Sequence, residues 1–428
     1  MFYLKLGLGT LLAGIGWLAI VFLGGFYGWW MAPVVAPGDA EGFIEYATRR
    51  LDGENPGNSA LVVIDSGRII HEHYSDSPDP INRDTVFATA SMSKWFAAYG
   101  VMTLVADGRL DLDAPVSNFL TRWQLPPGEF DNGQVTVRRL LSHTAGFSDG
   151  LGFGDYGADE ELPSLEASLS RPRASSNREV SIAVTAQPGA GFEYSGGGYL
   201  MLELIVEEVS GQRVADYMGE SVFDPLGMSR SGYGYLAADE NHAGSYDREG
   251  EPAPIYQYAS RAATAFVTSA GDLTRFVLAQ LPYAQPRGPL DDAWIKAMRE
   301  PHAQTLGIDI WGLGTILYAP TAGGDFVFGH DGANDPAINT AARINPDTGD
   351  AIIVLVTGHP SLATNIGSDW VLWQTGYPDA LASDAVMASM VLPGVAGLLL
   401  VLLGSLWLGY RLSCPNPVTL PLTTIKDG

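Results

Sequence analysis

Two long stretches without a charged side chain bracket this chain of 428 residues. The first runs from Leu6 to Met31 and the second from Ala385 to Tyr410. About 20 apolar residues suffice for a helix to cross the hydrocarbon core of a bilayer. A cleaved signal peptide is the alternative for the first stretch, but its apolar part would be unusually long. The pattern therefore predicts a transmembrane helix at each end of the chain, the first of them a retained anchor.

Flanking charges predict how these two helices are oriented. Lys5 and Arg411 lie on the outer flanks, whereas Asp39, Glu41 and Asp384 lie toward the middle of the chain. Because basic residues stay on the cytoplasmic side, both termini are expected in the cytoplasm. The region between them would be periplasmic or extracellular, on a protein of the cell (inner) membrane. The predicted boundaries are an N-terminal transmembrane anchor over 1–36, a globular domain over 37–380, a C-terminal transmembrane helix over 385–410 and a short cytoplasmic tail over 411–428.

Charge and cysteine content exclude one class of partner and one kind of crosslink. The formal net charge is −24, and the acidic excess lies between the two apolar stretches. Such a surface repels phosphate groups, so nucleic acid is excluded as a partner. The only cysteine, Cys414, follows the second apolar stretch, so no disulfide is expected in the exported domain. The sequence leaves the oligomeric state open.

Strand patterns lie at both ends of the middle region, and helix patterns lie between them. Two hairpins are predicted, over 60–74 and 339–357, each around a turn that contains Asp and Gly. The run 351–356 is apolar without alternation, which indicates a strand covered on both faces. Residues 149–190 are interpreted as a long irregular loop, and the predicted helices cover 91–107, 199–209 and 272–281. This order predicts an α+β domain, in which helices flank an antiparallel sheet.

The segment Ser91-Met92-Ser93-Lys94, at the start of a predicted helix, points to chemistry. Residues three apart on an α-helix share one face, so the Lys94 amine can lie beside the Ser91 hydroxyl. A serine becomes a good nucleophile when a neighbouring base takes its proton, and a desolvated lysine can be that base. The first turn of a helix also offers backbone N–H groups to an oxyanion. By itself the Ser-x-x-Lys spacing is a weak pattern.

Further segments in a fixed order make this pattern specific. They are Phe87–Lys94, Asp107–Asp113, Val135–Gly146, Pro188–Ser195, Phe223–Met228, Trp311–Gly314 and Gly329–Gly332. With them the chain resembles the serine β-lactamase and penicillin-binding-protein superfamily, in its class C-like branch of carboxypeptidases and esterases. The resemblance covers about residues 40–376. It implies a β-lactamase/transpeptidase-like fold, an all-helical subdomain beside the sheet, and a serine hydrolase domain over 37–380.

The resemblance also implies a role for each matching residue. Ser91 would form an acyl-enzyme, Lys94 would be a base that activates it, and Tyr194 would be the second base or acid. His330 would contact the substrate, and Gly332 would leave room for it along the strand. The backbone N–H groups of Ser91 and Ala333 would form the oxyanion hole. The Lys94 ammonium is expected to stabilise a Tyr194 phenolate, and no metal or cofactor is implied.

The chain departs from the family pattern at two positions. The second motif usually reads Tyr-x-Asn, but here it is Tyr194-Ser195-Gly196, without the amide that bonds the substrate and the lysine. His330 stands where many β-lactamases carry a lysine, and a neutral histidine attracts a carboxylate less. β-Lactamase activity is therefore expected to be weak or absent.

Three other patterns are interpreted as structural. The segment 146–150 matches Gly-x-Ser-x-Gly, but it lacks the strand before it and the helix after it that a nucleophile elbow requires. His143 is expected to pack the loop near the site rather than act as a base. His71 and His73 share one face of a predicted strand, without a third metal ligand.

The leading hypothesis is a membrane-anchored serine hydrolase that acts through a Ser91 acyl-enzyme on a small ester or amide. One alternative is a cell-wall peptidase of the D-alanyl-D-alanine carboxypeptidase type, which predicts acylation by penicillin. The other is a non-catalytic protein that binds cell-wall fragments, and the retained Ser91, Lys94 and Tyr194 argue against it. The expected partners are a small-molecule or peptide substrate and the membrane.

Overall fold

The computed structural model describes residues 2–150, 154–173, 180–282 and 288–413. The chain divides into two compact units, one formed by Met1–Ala32 with Ala382–Gly428 and the other by Pro33–Leu381. Residues 414–428, which include most of the predicted cytoplasmic tail and Cys414, lie outside the described residues.

Helices and strands are numbered in chain order. The helices are α1 (Phe2–Phe26), α2 (Ala40–Glu54), α3 (Ser93–Ala106), α4 (Val137–Leu141), α5 (Leu165–Ser170), α6 (Gly196–Ser210), α7 (Val214–Met218), α8 (Asp224–Leu226), α9 (Ala270–Ala279), α10 (Asp292–Met298), α11 (Leu362–Thr375) and α12 (Ser383–Ser413). The strands are β1 (Ser59–Asp65), β2 (Arg68–Tyr74), β3 (Val86–Ala88), β4 (Asp155–Tyr156), β5 (Gly232–Tyr233), β6 (Gln257–Tyr258), β7 (Phe266–Ser269), β8 (Ala303–Thr305), β9 (Ile308–Trp311), β10 (Ile316–Pro320), β11 (Phe326–Asn334), β12 (Ile338–Asn345) and β13 (Asp350–Thr357).

The first unit contains α1 and α12, each long and apolar enough to cross a membrane. The Thr10 hydroxyl donates to Ser405 Oγ at 2.7 Å, and Trp17 Nε1 donates to the Pro393 carbonyl at 3.0 Å. The Trp17 indole occupies the space that a β-carbon on Gly397 would need. Polar bonds and small residues are common where helices pair in a bilayer. The two apolar stretches are therefore helices that contact each other within this unit.

An eight-stranded sheet forms the centre of the second unit, in the order β2-β1-β13-β12-β11-β10-β9-β8. All of its neighbouring strands are antiparallel, and β1–β2 and β12–β13 are the two predicted hairpins. On β13, Ile353 and Leu355 belong to a core that includes α3 and α6. Ile352, Val354 and Val356 belong to a second core with α2 and α11. The prediction that this strand is covered on both faces is confirmed.

The three predicted helices are present, with ends set by local capping. A 3₁₀ turn, Ala90–Met92, leads into α3, which ends just before Gly108 at φ +70°. The predicted 272–281 helix is α9, and it begins earlier because Ser269 Oγ accepts the Asp272 N–H. The predicted irregular loop 149–190 contains β4 and α5 among its described residues, so it is more regular than expected.

Candidate active site

The turn before α3 presents Ser91 at its partly exposed surface. Ala90, the residue before it, has φ +49°, a left-handed conformation that is uncommon for a residue with a side chain. The Ser93 hydroxyl donates to the Ala90 carbonyl at 2.6 Å and accepts the Phe266 N–H at 3.0 Å. Ser93 therefore ties the nucleophile turn to β7, and the turn holds Ser91 in place.

Lys94 lies under Ser91 and is only 1% exposed. Its Nζ donates to the Ala263 carbonyl at 2.9 Å and to Ser91 Oγ at 3.5 Å. Burial disfavours the ammonium and lowers the pKa of Lys94 from 10.5 to about 7, although the carboxylate of Asp149 acts in the opposite direction. A large share of this lysine is therefore the neutral amine near neutral pH, in contact with the hydroxyl that it could deprotonate.

Tyr194, which precedes α6, completes the predicted trio. Its hydroxyl is hydrogen-bonded to the Ser91 side chain, and Lys94 Nζ lies 5.0 Å from the centre of its ring. Burial raises the pKa of Tyr194 above 10, and the bond to Ser91 only partly offsets this. The expectation that Lys94 stabilises a Tyr194 phenolate is therefore wrong in the resting site. Tyr194 is a phenol that can donate a proton, and Lys94 is the available base.

His143 has the structural position that the sequence predicts. Its ring is buried and stacks on Tyr194 with centroids 4.3 Å apart, and its Nδ1 accepts the Ser195 N–H at 3.0 Å. Burial lowers the pKa of His143 well below 6.5, as does the positive charge of Lys94. The neutral imidazole therefore fixes the ring and the backbone of the Tyr194 segment.

His330 lies on β11 and is enclosed, with 1% of its surface exposed. Its Nδ1 lies 2.6 Å from the Asp331 carbonyl oxygen, which can only accept, so Nδ1 carries the proton. Burial lowers the pKa of His330 to about 3, and the charge of Lys94 acts in the same direction. A protonated His330 that binds a carboxylate is therefore not available at neutral pH. The resting structure also offers little of this ring to a substrate.

The structural role of Gly332 differs from the predicted one. A β-carbon there would lie 2.0 Å from the Thr89 carbonyl oxygen and 2.6 Å from Thr340 Oγ1. The prediction that this glycine leaves room for substrate is therefore corrected, because the nucleophile turn itself fills that space. Ala333 is exposed next to it, where β11 extends beyond its pairing with β10, which ends at Gly329. Ala333, whose backbone N–H is the predicted oxyanion donor, therefore lies on a part of β11 that β10 does not cover.

Two buried charged residues that position the site were not predicted from the sequence. Arg343 on β12 is fully buried, pairs with Asp331 on β11 and with Asp379, and lies 3.6 Å over the Tyr318 ring. Glu203 on α6 is also fully buried, and it accepts the N–H groups of Arg261 and Ala262 at 2.8 and 3.1 Å. The available signal was that Arg343 is the only charged residue of β12, and that Glu203 is the only charged residue within the mostly apolar run 199–206 of α6.

Glu203 acts on the site through the loop it binds. The carbonyl of the next residue, Ala263, is the acceptor for Lys94 Nζ. Burial raises the pKa of Glu203 to about 7, while the guanidinium of Arg261 acts to lower it. The Arg343–Asp331 ion pair therefore fixes β11, and the hydrogen bonds of Glu203 fix the loop that contains Ala263. Lys94 lies between these two segments.

The patterns interpreted as structural do not join this site as nucleophiles or ligands. Ser148 Oγ bonds Thr185 Oγ1 at 2.6 Å in a segment that follows α4 and a turn, so the strand of a nucleophile elbow is missing. His73 Nε2 bonds Asp52 at 2.9 Å. Within the described parts of the chain, no group of three or more His, Cys, Asp or Glu side chains could hold a metal ion.

The chain is similar to proteins of known family. A family model described as Beta-lactamase matches residues 45–376. Esterase EstB from Burkholderia gladioli is 30% identical over 232 residues, which are 48% of this chain and 53% of that protein, so the chain spans only about half of its length. Penicillin-binding protein 4 from Amycolatopsis lactamdurans is 27% identical over 344 residues, 75% of this chain and 85% of that protein.

The fold has counterparts among solved structures. The octameric penicillin-binding protein homologue from Pyrococcus abyssi superposes with a TM-score of 0.61 at 22% identity, covering 79% of this chain and 78% of that chain. This likeness confirms the predicted β-lactamase/transpeptidase-like fold. Because the family model also covers most of the globular unit, the chain belongs to the β-lactamase family, within the β-lactamase and penicillin-binding-protein superfamily.

Proposed function

We propose that this protein is a membrane-anchored hydrolase that cleaves a small ester or amide through an acyl-enzyme on Ser91. The observation that carries the proposal is the contact of the Ser91 hydroxyl with a buried amine and a phenol. The lowered pKa of Lys94 supports its role as the base for this hydroxyl.

Acylation can be written with these three side chains. Ser91 Oγ attacks the substrate carbonyl carbon while its proton passes to Lys94 Nζ, and the bond to the leaving group then breaks. The Tyr194 hydroxyl gives its proton to the leaving oxygen or nitrogen, and the proton held by Lys94 restores the phenol. The backbone N–H groups of Ser91 and Ala333 would hold the oxyanion. Water then hydrolyses the ester on Ser91 with the same groups in reverse.

Two features favour an uncharged group on the substrate where many relatives would bind a carboxylate. His330 is neutral and buried, with its Nδ1 proton bound to the Asp331 carbonyl, so it provides no positive charge for a carboxylate. Gly196 offers no side chain in place of the usual asparagine amide. These features support esters and simple amides over β-lactams, whose recognition uses both groups.

The membrane part of the proposal rests on the two apolar helices. α1 and α12 would anchor the hydrolase domain, predicted over 37–380, with both termini cytoplasmic and the domain periplasmic or extracellular. Cysteine-accessibility labelling before and after permeabilisation of the inner membrane tests this, with single cysteines placed in the domain in a Cys414→Ser background. Labelling of the domain only after permeabilisation of the inner membrane would contradict the orientation.

Acyl transfer is tested with a fluorescent fluorophosphonate, which reacts with activated serines. The full-length protein in detergent should be labelled once, and intact mass should place the adduct on Ser91. Ser91→Ala should abolish the labelling, whereas Ser148→Ala, which alters the Gly-x-Ser-x-Gly segment, should not change it. The rate should fall below about pH 7 as Lys94 becomes protonated. Persistent labelling of Ser91→Ala would refute the assignment.

A cell-wall peptidase of the D-alanyl-D-alanine carboxypeptidase type is the second candidate. It is supported by the similarity to penicillin-binding protein 4, which covers more of this chain than the similarity to the esterase. Labelling by a fluorescent penicillin, lost in Ser91→Ala, would favour it. Labelling by the fluorophosphonate alone would favour the esterase or amidase, and labelling by neither would favour the non-catalytic alternative.

A further inference from the structure

A buried carboxylate lies against the second motif. It belongs to Asp149, in the segment 146–150 that matches Gly-x-Ser-x-Gly. Asp149 is 4% exposed. Its Oδ1 accepts the Ser195 hydroxyl at 2.6 Å, and its Oδ2 accepts the Gly197 N–H at 2.6 Å. Both donors follow Tyr194 directly in the chain, at the start of α6. Asp149 therefore binds the segment that carries Tyr194, the proposed proton donor.

Gly197, two residues after Ser195, makes room for this carboxylate. A β-carbon on Gly197 would lie 2.7 Å from Asp149 Oδ2 and 2.7 Å from Ile182 Cγ1. The Gly196 N–H points to the Gly150 carbonyl, at 3.4 Å. Gly197, one residue after the position of the usual asparagine, therefore leaves the space that the Asp149 carboxylate occupies.

Asp149 is also the carboxylate that acts on Lys94. From α3, Lys94 faces His143 at the end of α4, His330 on β11, and the rings of Tyr194 and Tyr199, which lie 5.0 and 5.7 Å from its Nζ. Both histidines are kept neutral by burial, and burial raises the pKa of both tyrosines. Asp149 then supplies the negative charge that favours the ammonium form of Lys94.

We propose that Asp149 is a positioning residue that holds Tyr194 against Ser91 and provides the counter-charge of Lys94. This inference rests on the proposed function, because it assumes that Lys94 is the base. It predicts an effect on pH dependence that a purely structural role of Asp149 would not produce. Removal of the charge should change the pH at which Ser91 becomes reactive, and not only the amount of folded protein.

The test variant is Asp149→Asn. An asparagine can keep both bonds, since its oxygen can accept the Gly197 N–H and its amide can donate to Ser195 Oγ, which loses only its role as donor. Without the negative charge the ammonium of Lys94 is less stable. The acid limb of the fluorophosphonate labelling rate should therefore move to lower pH, by on the order of one pH unit.

The control is Asp159→Asn, which removes an exposed carboxylate from the same loop and should leave the acid limb in place. An unshifted limb in folded Asp149→Asn, or a shift toward higher pH, would overturn the inference. If near-ultraviolet circular dichroism shows that this variant is not folded, Asp149→Ser replaces it, with the same expected shift. Loss of labelling in Ser91→Ala with no shift in Asp149→Asn would refute this inference alone, whereas labelling that survives Ser91→Ala would refute the proposed function.

Discussion

Replacement of Lys94 by methionine should make the protein more stable while it abolishes acylation. Lys94 is 1% exposed, and burial lowers its pKa from 10.5 to about 7. At 1.36 kcal/mol per pKa unit, keeping the ammonium in the folded state costs up to about 5 kcal/mol below pH 7. Methionine has a similar length and no charge, so Lys94→Met removes this cost.

The same linkage gives the sign of the pH dependence. Between pH 7 and pH 10.5 the unfolded chain binds one more proton at this lysine than the folded chain does, so the cost decreases as pH rises, to about 2 kcal/mol at pH 9. The variant also leaves the Ala263 carbonyl without its donor, which costs about 1–3 kcal/mol. Lys94→Met should therefore be more stable than wild type by about 2–4 kcal/mol at pH 6 and nearly equal to it at pH 9.

Urea unfolding of the full-length protein in detergent, followed by tryptophan fluorescence at both pH values, measures this difference. Lys296→Met, at an exposed position on α10, is the matched control and should differ little from wild type at either pH. A Lys94→Met protein that is less stable at both pH values would refute the reasoning. So would a difference from wild type that does not change between pH 6 and pH 9.

Other substitutions test the segments that pack around Lys94. Gly332→Ala should abolish fluorophosphonate labelling and lower the unfolding free energy by about 3 kcal/mol, because its β-carbon would collide with the Thr89 carbonyl; a folded and active variant would contradict this. In urea unfolding, the unfolding free energy of Glu203→Gln relative to wild type should rise by about 2–3 kcal/mol from pH 5 to pH 8. The raised carboxyl pKa stabilises the wild-type fold at low pH, and this stabilisation is lost as the pH rises to about 7; a difference that does not change with pH would argue against it. Arg343→Met should cost about 3–5 kcal/mol because Asp331 is left without its partner, and unchanged thermal unfolding would refute that.

Local sequence was enough to predict the elements that depend on neighbours in the chain. The hairpins β1–β2 and β12–β13, the helix α3 and the side-by-side placement of Ser91 and Lys94 follow from periodicity, turn residues and helical spacing. The resemblance added Tyr194, which lies far along the chain but meets Ser91 as expected. His143 was correctly placed as a packing residue.

Tertiary structure alone decided which of these groups is the base and what surrounds it. A pKa depends on burial and on charges from distant segments. The spacing of residues in the sequence therefore could not show that the pKa of Lys94 is lowered while the pKa of Tyr194 is raised. In the same way, the space beside Gly332 and the bonds of Asp149 come from packing between elements that are remote in sequence. The chain itself therefore determined which chemical groups are present and how each begins to fold. The packed interior determined their charges, because only there is water removed from them.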